Sequence, residues 1–109
     1  ERAIALLALE RGDRAVNVIK KSLKDSNPDI RVAAIRALAV LKAYEALPDI
    51  LQNFRDSHPG VRYAAVMASM LLGSAENIGA LRLMSADSDA QVAAAAEIAI
   101  QELSSREKP

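Results

Sequence analysis

With 109 residues and 51% apolar side chains, the chain can form one packed domain and is too apolar for a disordered segment. Its 14 basic and 14 acidic residues cancel, which argues against nucleic acid or an anionic membrane as a partner. The absence of cysteine excludes disulfides and Cys-ligated metals, and no apolar run reaches the ~20 residues that cross a bilayer. We therefore expect a cytoplasmic protein.

Helical periodicity predicts about seven helices, because apolar residues recur at i, i+3, i+4 and i+7 along most of the chain. In chain order the predicted helices cover 2–11, 13–24, 28–42, 44–56, 59–73, 75–86 and 90–104, followed by a polar, frayed tail at 105–109. The first of them is apolar on more than one side, and such a helix normally has a neighbour on each face. We therefore expect further repeats before Glu1 in a longer parent protein, or self-association at this end.

The ends of the longer helices carry recognisable signals. Asn27 and His58 each precede a proline, which suits the first helical position because its missing N–H would have no partner there. Asn27 and His58 are therefore predicted N-caps, and Asp89 is predicted to cap the last helix because its residue type suits that position. Two of the helices are predicted to end near Lys42 and at Gly73, where glycine can take the left-handed closing conformation.

The sequence repeats with a period of 31 residues, and each copy opens with an Asp-Ser pair at Asp25, Asp56 or Asp87. A branched aliphatic residue, an alanine pair, a further alanine and a closing leucine follow. The matching sets are Ile30, Val61 and Val92; Ala33-Ala34, Ala64-Ala65 and Ala95-Ala96; Ala37, Ala68 and Ala99; and Leu41, Leu72 and Leu103. Each copy predicts a helical hairpin, so we expect an all-α solenoid of stacked hairpins with units at 1–24, 25–55, 56–86 and 87–104.

Alanines at fixed repeat positions predict close crossings between the first helices of neighbouring hairpins. The buried face of the first copy is expected to contain Ile30, Ala33, Ala34, Ala37, Leu38 and Leu41. The second helices are expected to bury Val16, Ile19 and Leu23, then Leu47, Ile50, Leu51 and Phe54, then Ile78 and Leu81. The third of these faces is weaker, because Arg82 and Ser85 replace Leu51 and Phe54.

The segments DSNPDIRVAA at 25–34 and DSHPGVRYAA at 56–65 resemble HEAT-like repeats of the phycobilisome-lyase type, and the resemblance extends over about 2–103. It implies that the aspartate and the arginine six residues later form a hydrogen-bonded ladder between repeats. The matching pairs are Asp25 with Arg31 and Asp56 with Arg62. Asp87 is followed by Ala93 at that place, so the ladder is expected to end there.

The segment 90–104 is predicted to be a terminal cap. Glu97 stands where the other copies have Ile35 and Val66, and polar residues follow the same helix at Gln91, Gln101 and Glu102. Solenoids need a polar outer face at their ends.

In HEAT-like repeats the second helices line the concave side, and helical phase identifies their exposed positions. We call these the second-helix face: Asn17, Val18, Lys21, Asp49, Gln52, Ala80 and Leu83. The side chains on this face differ from copy to copy while the buried ones repeat. We therefore predict a non-catalytic scaffold that binds a partner protein on the concave face.

Residues that could carry other chemistry have a structural interpretation in this sequence. No hydrolytic triad or phosphate-binding glycine loop occurs, and His58 has no ligand at helical spacing, so we expect no enzyme activity, metal or cofactor. Methionines at 67, 70 and 84 suit core gaps, with an adaptable binding surface as the alternative. Lysines at 20, 21 and 24 suit a solvated face, or a contact for an acidic partner.

Three other functions remain open from the sequence. The resemblance allows an accessory subunit of a bilin lyase or isomerase, and a HEAT-like DNA-binding repair protein. Repair proteins of that kind would need a basic groove with stacking aromatics, which a neutral chain with three aromatic residues does not favour. The chain could also order or space other domains.

Overall fold

The protein is built from six α-helices in the part of the chain that its computed structural model describes, residues 2–107, with side-chain surroundings for 12–106. They are α1 (Arg2–Ser22), α2 (Pro28–Val40), α3 (Leu47–Gln52), α4 (Pro59–Leu72), α5 (Ile78–Met84) and α6 (Ala90–Glu107). Short 3-10 turns at Tyr44–Ala46, Asn53–Arg55 and Ala75–Asn77 adjoin α3 and α5. Residues 2–107 contain no strand, so the predicted all-α class is confirmed.

The helices form two layers. The first helices of successive repeats, α2, α4 and α6, pack side by side. The helix that precedes each of them along the chain packs against it: α1 on α2, α3 on α4 and α5 on α6. The second helix of one repeat therefore rests on the first helix of the next repeat. This arrangement confirms the predicted solenoid of stacked hairpins.

The alanine positions bring the first helices close together, as predicted. Ala65 and Ala96 are fully buried, and Ala34 is 5% exposed. Ala68 and Ala99 are equally inaccessible, and Val61, Val66 and Leu38 fill the space beside the alanines. Small side chains at the crossings let the backbones approach, so the buried aliphatic groups beside them can pack closely.

On α2 the predicted buried face is partly wrong. Ile30 is 41% exposed, Leu41 is 50% exposed and Ala33 is also exposed, whereas their counterparts on α4 and α6 are buried. Unlike α2, both α4 and α6 pack against the first helix of a preceding repeat, α2 and α4 respectively. No first helix with described side chains precedes α2, so the same positions are left uncovered there.

The predicted N-caps are confirmed at two of three sites. Asn27 Oδ1 accepts the backbone N–H of Asp29 at 2.9 Å, and Asp89 Oδ1 accepts that of Gln91 at 2.9 Å. His58 occupies the N-cap position of α4, but its side chain makes no capping hydrogen bond. The imidazole is longer than the short side chains that reach this N–H, and it points into solvent instead.

The left-handed closing residue is Lys42, not Gly73. Lys42 has φ 55°, and its N–H donates to Ala39 while that of Ala43 donates to Leu38, the Schellman arrangement. Gly73 instead adopts extended backbone, with φ −90° and ψ −178°. Its glycine is required by space, because a Cβ there would clash with the backbone oxygen of Ser69.

Helix boundaries differ from the prediction at both ends of the chain, and the helices predicted at 44–56 and 75–86 are the shorter α3 and α5 with their flanking 3-10 turns. One helix, α1, runs through Gly12 where two helices at 2–11 and 13–24 were predicted, so six α-helices replace the expected seven. The idea that 2–11 is apolar on several sides concerns side chains outside the described range. At the other end α6 continues to Glu107, because Arg106 pairs with Glu102 and its Nη1 donates to the Met70 oxygen at 3.0 Å. The predicted frayed tail is therefore wrong as far as residue 107.

Met84 completes the core of the third copy, whose second helix has Arg82 and Ser85 at the repeat positions of Leu51 and Phe54. It is 7% exposed and occupies the repeat position of Asn53, one place before the position of Phe54. Met67 and Met70 are partly buried and pack against the same core. The gap-filling interpretation of the methionines is confirmed for Met84.

Candidate partner-binding face

The second-helix face is accessible, as helical phase predicts. Asn17, Val18 and Lys21 are exposed on α1, Gln52 on α3 and Leu83 on α5, while Asp49 and Ala80 are half-buried. The two large apolar side chains of this face are well exposed, Val18 at 64% and Leu83 at 78%. Whether this face is concave stays a prediction.

An ion pair joins α1 to α3 within this face. Lys20 Nζ lies 3.2 Å from Asp49 Oδ2, and both side chains are about one third exposed. Lys20 is therefore not part of a freely solvated lysine cluster, while Lys21 and Lys24 are exposed. A pair of this exposure stabilises the fold by about 0–1 kcal/mol, so Asp49 can exchange Lys20 for a partner's cation at little cost.

A polar pocket of about 340 Å³ lies beside the ion pair, where the end of α1, the start of α2 and the end of α3 meet. Its lining includes Asp49, Gln52 and Lys24, together with one edge of Asn53. Asn53 is 7% exposed: its Nδ2 donates to the Leu23 oxygen at 3.2 Å, and its Oδ1 has no hydrogen-bond partner in the described part of the chain. Sequence reasoning missed Asn53, whose only signal was a polar residue next to the buried Phe54.

The arginine ladder lies along the loops that connect the repeats. Arg31 donates to both carboxylate oxygens of Asp56, from Nε at 2.8 Å and from Nη2 at 3.0 Å. Arg62 repeats the geometry on Asp87 at 2.9 and 3.0 Å. The Nη1 groups reach back to the backbone oxygens of Asp25 and Asp56, at 2.7 and 2.8 Å.

Each arginine thus pairs with the carboxylate of the next copy and with the backbone oxygen of its own copy. The ladder runs between repeats and ends at Asp87, as the resemblance implied. Its ion pairs differ from the predicted ones, because within Asp25–Arg31 and Asp56–Arg62 the arginine reaches only the backbone oxygen of the aspartate. Because Asp56 and Asp87 also accept the N–H groups of His58 and Asp89, both at 2.9 Å, each rung fixes a turn as well as a repeat junction.

The rungs shift the pKa values of their members. The hydrogen bond from Arg62 and the backbone N–H of Asp89 hold the pKa of Asp87 below its usual value, against the opposing effect of burial. Burial raises the pKa of Asp56, but the hydrogen bonds from Arg31 and His58 N–H and the charge of Arg31 outweigh it and lower the pKa overall. The Asp87 carboxylate correspondingly raises the pKa of Arg62.

These shifts predict acid destabilisation. Since the folded-state pKa of Asp56 and Asp87 lies below the unfolded value near 3.8, the stabilisation is complete above that pH and is lost as the pH falls through the folded-state pKa. We expect urea midpoints to be level from pH 7 to 5 and to drop below pH 4. An Asp87→Asn variant should be less stable at pH 7 and should lose part of this drop; an unchanged drop would contradict the assignment.

Two further searches of the described residues bear on the site. No group of three or more His, Asp or Glu side chains is placed to hold a metal ion within the side chains of 12–106. Among the helices of residues 2–107, none combines the length and apolarity that a membrane crossing demands.

Comparison with known proteins agrees with the architecture. The family model described as HEAT repeats matches residues 16–101. No curated protein matches the chain. The matched range covers most of the chain, from the last turns of α1 to α6. It includes the buried alanine positions of the first helices and both Arg–Asp pairs of the ladder. The chain therefore belongs to the HEAT-repeat family.

Proposed function

We propose that this chain is a non-catalytic scaffold that binds a partner protein through the second-helix face, on the concave side of the solenoid. HEAT repeats generally mediate protein–protein interactions. The observation that carries the proposal is a contrast between two repeat positions on the second helices, one with the same kind of residue in every copy and one with a different residue in each. Ile19, Ile50 and Leu81 stay aliphatic and turn toward the core, whereas Lys21, Gln52 and Leu83 are all exposed and chemically different.

The composition of this face suits a protein partner. A second variable row, Val18, Asp49 and Ala80, lies one turn from the first. The face therefore offers apolar side chains at its two ends, Val18 and Leu83, with a charged and polar centre around Asp49. Interfaces that bind proteins combine apolar anchors with polar groups that fix register in this manner.

Changes of charge and shape on the second-helix face should weaken binding of the partner protein. We expect a Lys21→Glu, Leu83→Glu double variant to lose binding at least about tenfold, because a buried carboxylate would replace an apolar contact and a cation would be reversed. The measurement is affinity capture from an extract of the source organism, read by quantitative mass spectrometry, then titration of the captured partner against purified variants.

Ile98→Glu, an exposed aliphatic position on α6 in the other layer, is the matched control and should leave capture unchanged. Both variants should melt like the parent chain. A partner that binds the double variant and the control equally would place the binding surface elsewhere.

The alternative functions stay predictions with direct tests. A bilin-lyase subunit should change the absorbance of bilin when mixed with an apo-phycobiliprotein. A DNA-repair role should retard duplex DNA at low salt, where the phosphate contribution is greatest.

A further inference from the structure

A second candidate binding surface lies on the other layer of the fold, between α2 and α4. It is a groove of about 350 Å³, open on one side. Alanines of both helices form its floor, and Val40, Tyr63, Met67 and Leu71 form its walls. Val40 is 81% exposed, Leu71 is 57% exposed and Tyr63 is 38% exposed. A run of accessible apolar side chains around a depression is typical of an interaction site.

The repeats themselves show that the fold does not require these apolar walls. Val40 and Leu71 occupy the same repeat position, and the third copy has Glu102 there, exposed on α6. A charged residue is therefore compatible with this place in the first-helix layer. Val40 gains little burial in the folded chain and Leu71 leaves more than half of its surface exposed, so folding accounts for only part of their apolar character.

The groove carries one charge. Arg36 is the only charged residue in its lining, which contains no carboxylate. Within the described side chains Arg36 forms no ion pair, and it is exposed. Met67 and Ile98 occupy its repeat position in the other copies. The guanidinium is thus specific to this groove and is available to an anionic group of a partner.

The neighbouring junction between α4 and α6 is different. There Arg106 crosses from α6 to the Met70 oxygen and is held by Glu102, whose Oε1 lies 3.2 Å from its Nη2. The cation of that junction is engaged within the chain, whereas Arg36 is not.

We propose that the groove between α2 and α4 binds an amphipathic helix of a partner protein. Its aliphatic side chains would contact Val40, Tyr63 and Leu71, and an Asp or Glu beside them would pair with Arg36. An open depression cannot enclose most of a small molecule, which is what small-molecule sites do. It does suit the stripe of i, i+3, i+4 and i+7 anchors that a helix presents to a groove. This site is independent of the second-helix face.

The test uses two synthetic helical peptides that share leucines at i, i+4 and i+7 and differ only in carrying glutamates or lysines beside them. Each is titrated into the isotope-labelled chain and followed by NMR. We expect shifts confined to α2 and α4, and binding of the glutamate peptide about two- to fivefold tighter than that of the lysine peptide, the effect of one exposed ion pair.

Variants of the chain separate the apolar and the charged contributions. Leu71→Glu should weaken both peptides at least about tenfold, since a wall side chain is lost. Arg36→Glu should reverse the preference, so that the lysine peptide binds more tightly. Leu83→Glu, on the second-helix face, is the matched control and should change neither affinity.

Several results would overturn the proposal. These are the absence of shifts in α2 and α4 at millimolar peptide, equal losses in Leu71→Glu and Leu83→Glu, and a charge preference that Arg36→Glu does not alter. Sedimentation of the chain alone provides the remaining test: a dimer that Leu71→Glu dissociates would assign the groove to a second copy instead.

Discussion

Replacing Ala65 by arginine is expected to unfold the protein or to destabilise it by at least about 3 kcal/mol. Ala65 lies on α4 in the layer where α2, α4 and α6 pack, and no part of it is accessible. The longer side chain would have to separate these helices or leave a guanidinium buried without a carboxylate. The melting temperature should fall by more than about 10 °C, measured by circular dichroism.

Ala94→Arg is the control for this prediction. Ala94 lies on α6 next to the buried pair Ala95-Ala96, but it is exposed, so the same side chain can extend into solvent. Its effect should stay within about 0.5 kcal/mol. Melting of Ala65→Arg at the parent temperature would show that the alanine positions do not set the spacing of the helices.

The period of 31 residues made the architecture predictable. It aligns positions of equal burial, so that Val61 and Val92, or Leu72 and Leu103, can be assigned to the core together. The same reasoning failed for Leu41, because residues at the same repeat position need not have the same neighbouring helix. No first helix with described side chains precedes α2, the helix that Leu41 follows. Periodicity identifies the face of a helix, and burial also depends on what covers that face.

Local backbone details were predictable only where one side chain determines them. Asn27 caps its helix because its short amide side chain reaches the backbone N–H of Asp29, whatever surrounds the two residues. The choice between Lys42 and Gly73 as the left-handed residue was not readable, since the oxygen of Ser69, one turn earlier, excludes any side chain at Gly73. Glycine there reflects close packing, not a positive φ.

The candidate sites likewise contain some features that the sequence predicts and others that it does not. Exposure of Val18 and Leu83 followed from helical phase alone. The pairing of Lys20 with Asp49 and the hydrogen bond from Asn53 to Leu23 depend on the distance between α1 and the segment after α3, which no local pattern encodes. The Arg36 groove was missed because its walls belong to two helices, and each wall residue alone resembles an ordinary exposed aliphatic side chain.

Arg62→Ala is expected to destabilise the protein by about 3–5 kcal/mol, the usual cost of removing one partner of a buried ion pair. The Asp87 side chain is 10% exposed and would lose two charge-assisted hydrogen bonds, and the backbone oxygen of Asp56 would lose its Nη1 donor. The measurement is a double-mutant cycle of Arg62→Ala with Asp87→Ala, from urea denaturation at pH 7.

The matched cycle is Lys20→Ala with Asp49→Ala, an ion pair that also joins two elements but is about one third exposed. Its coupling free energy should be about 0–1 kcal/mol, because water screens both charges and two long side chains lose freedom when they pair. If the two cycles gave equal couplings, the bidentate geometry and burial of Arg62 and Asp87 would contribute nothing beyond a surface contact. A clearly larger coupling for Arg62 and Asp87 would establish the ladder as a polar interaction that helps to hold one repeat in register with the next.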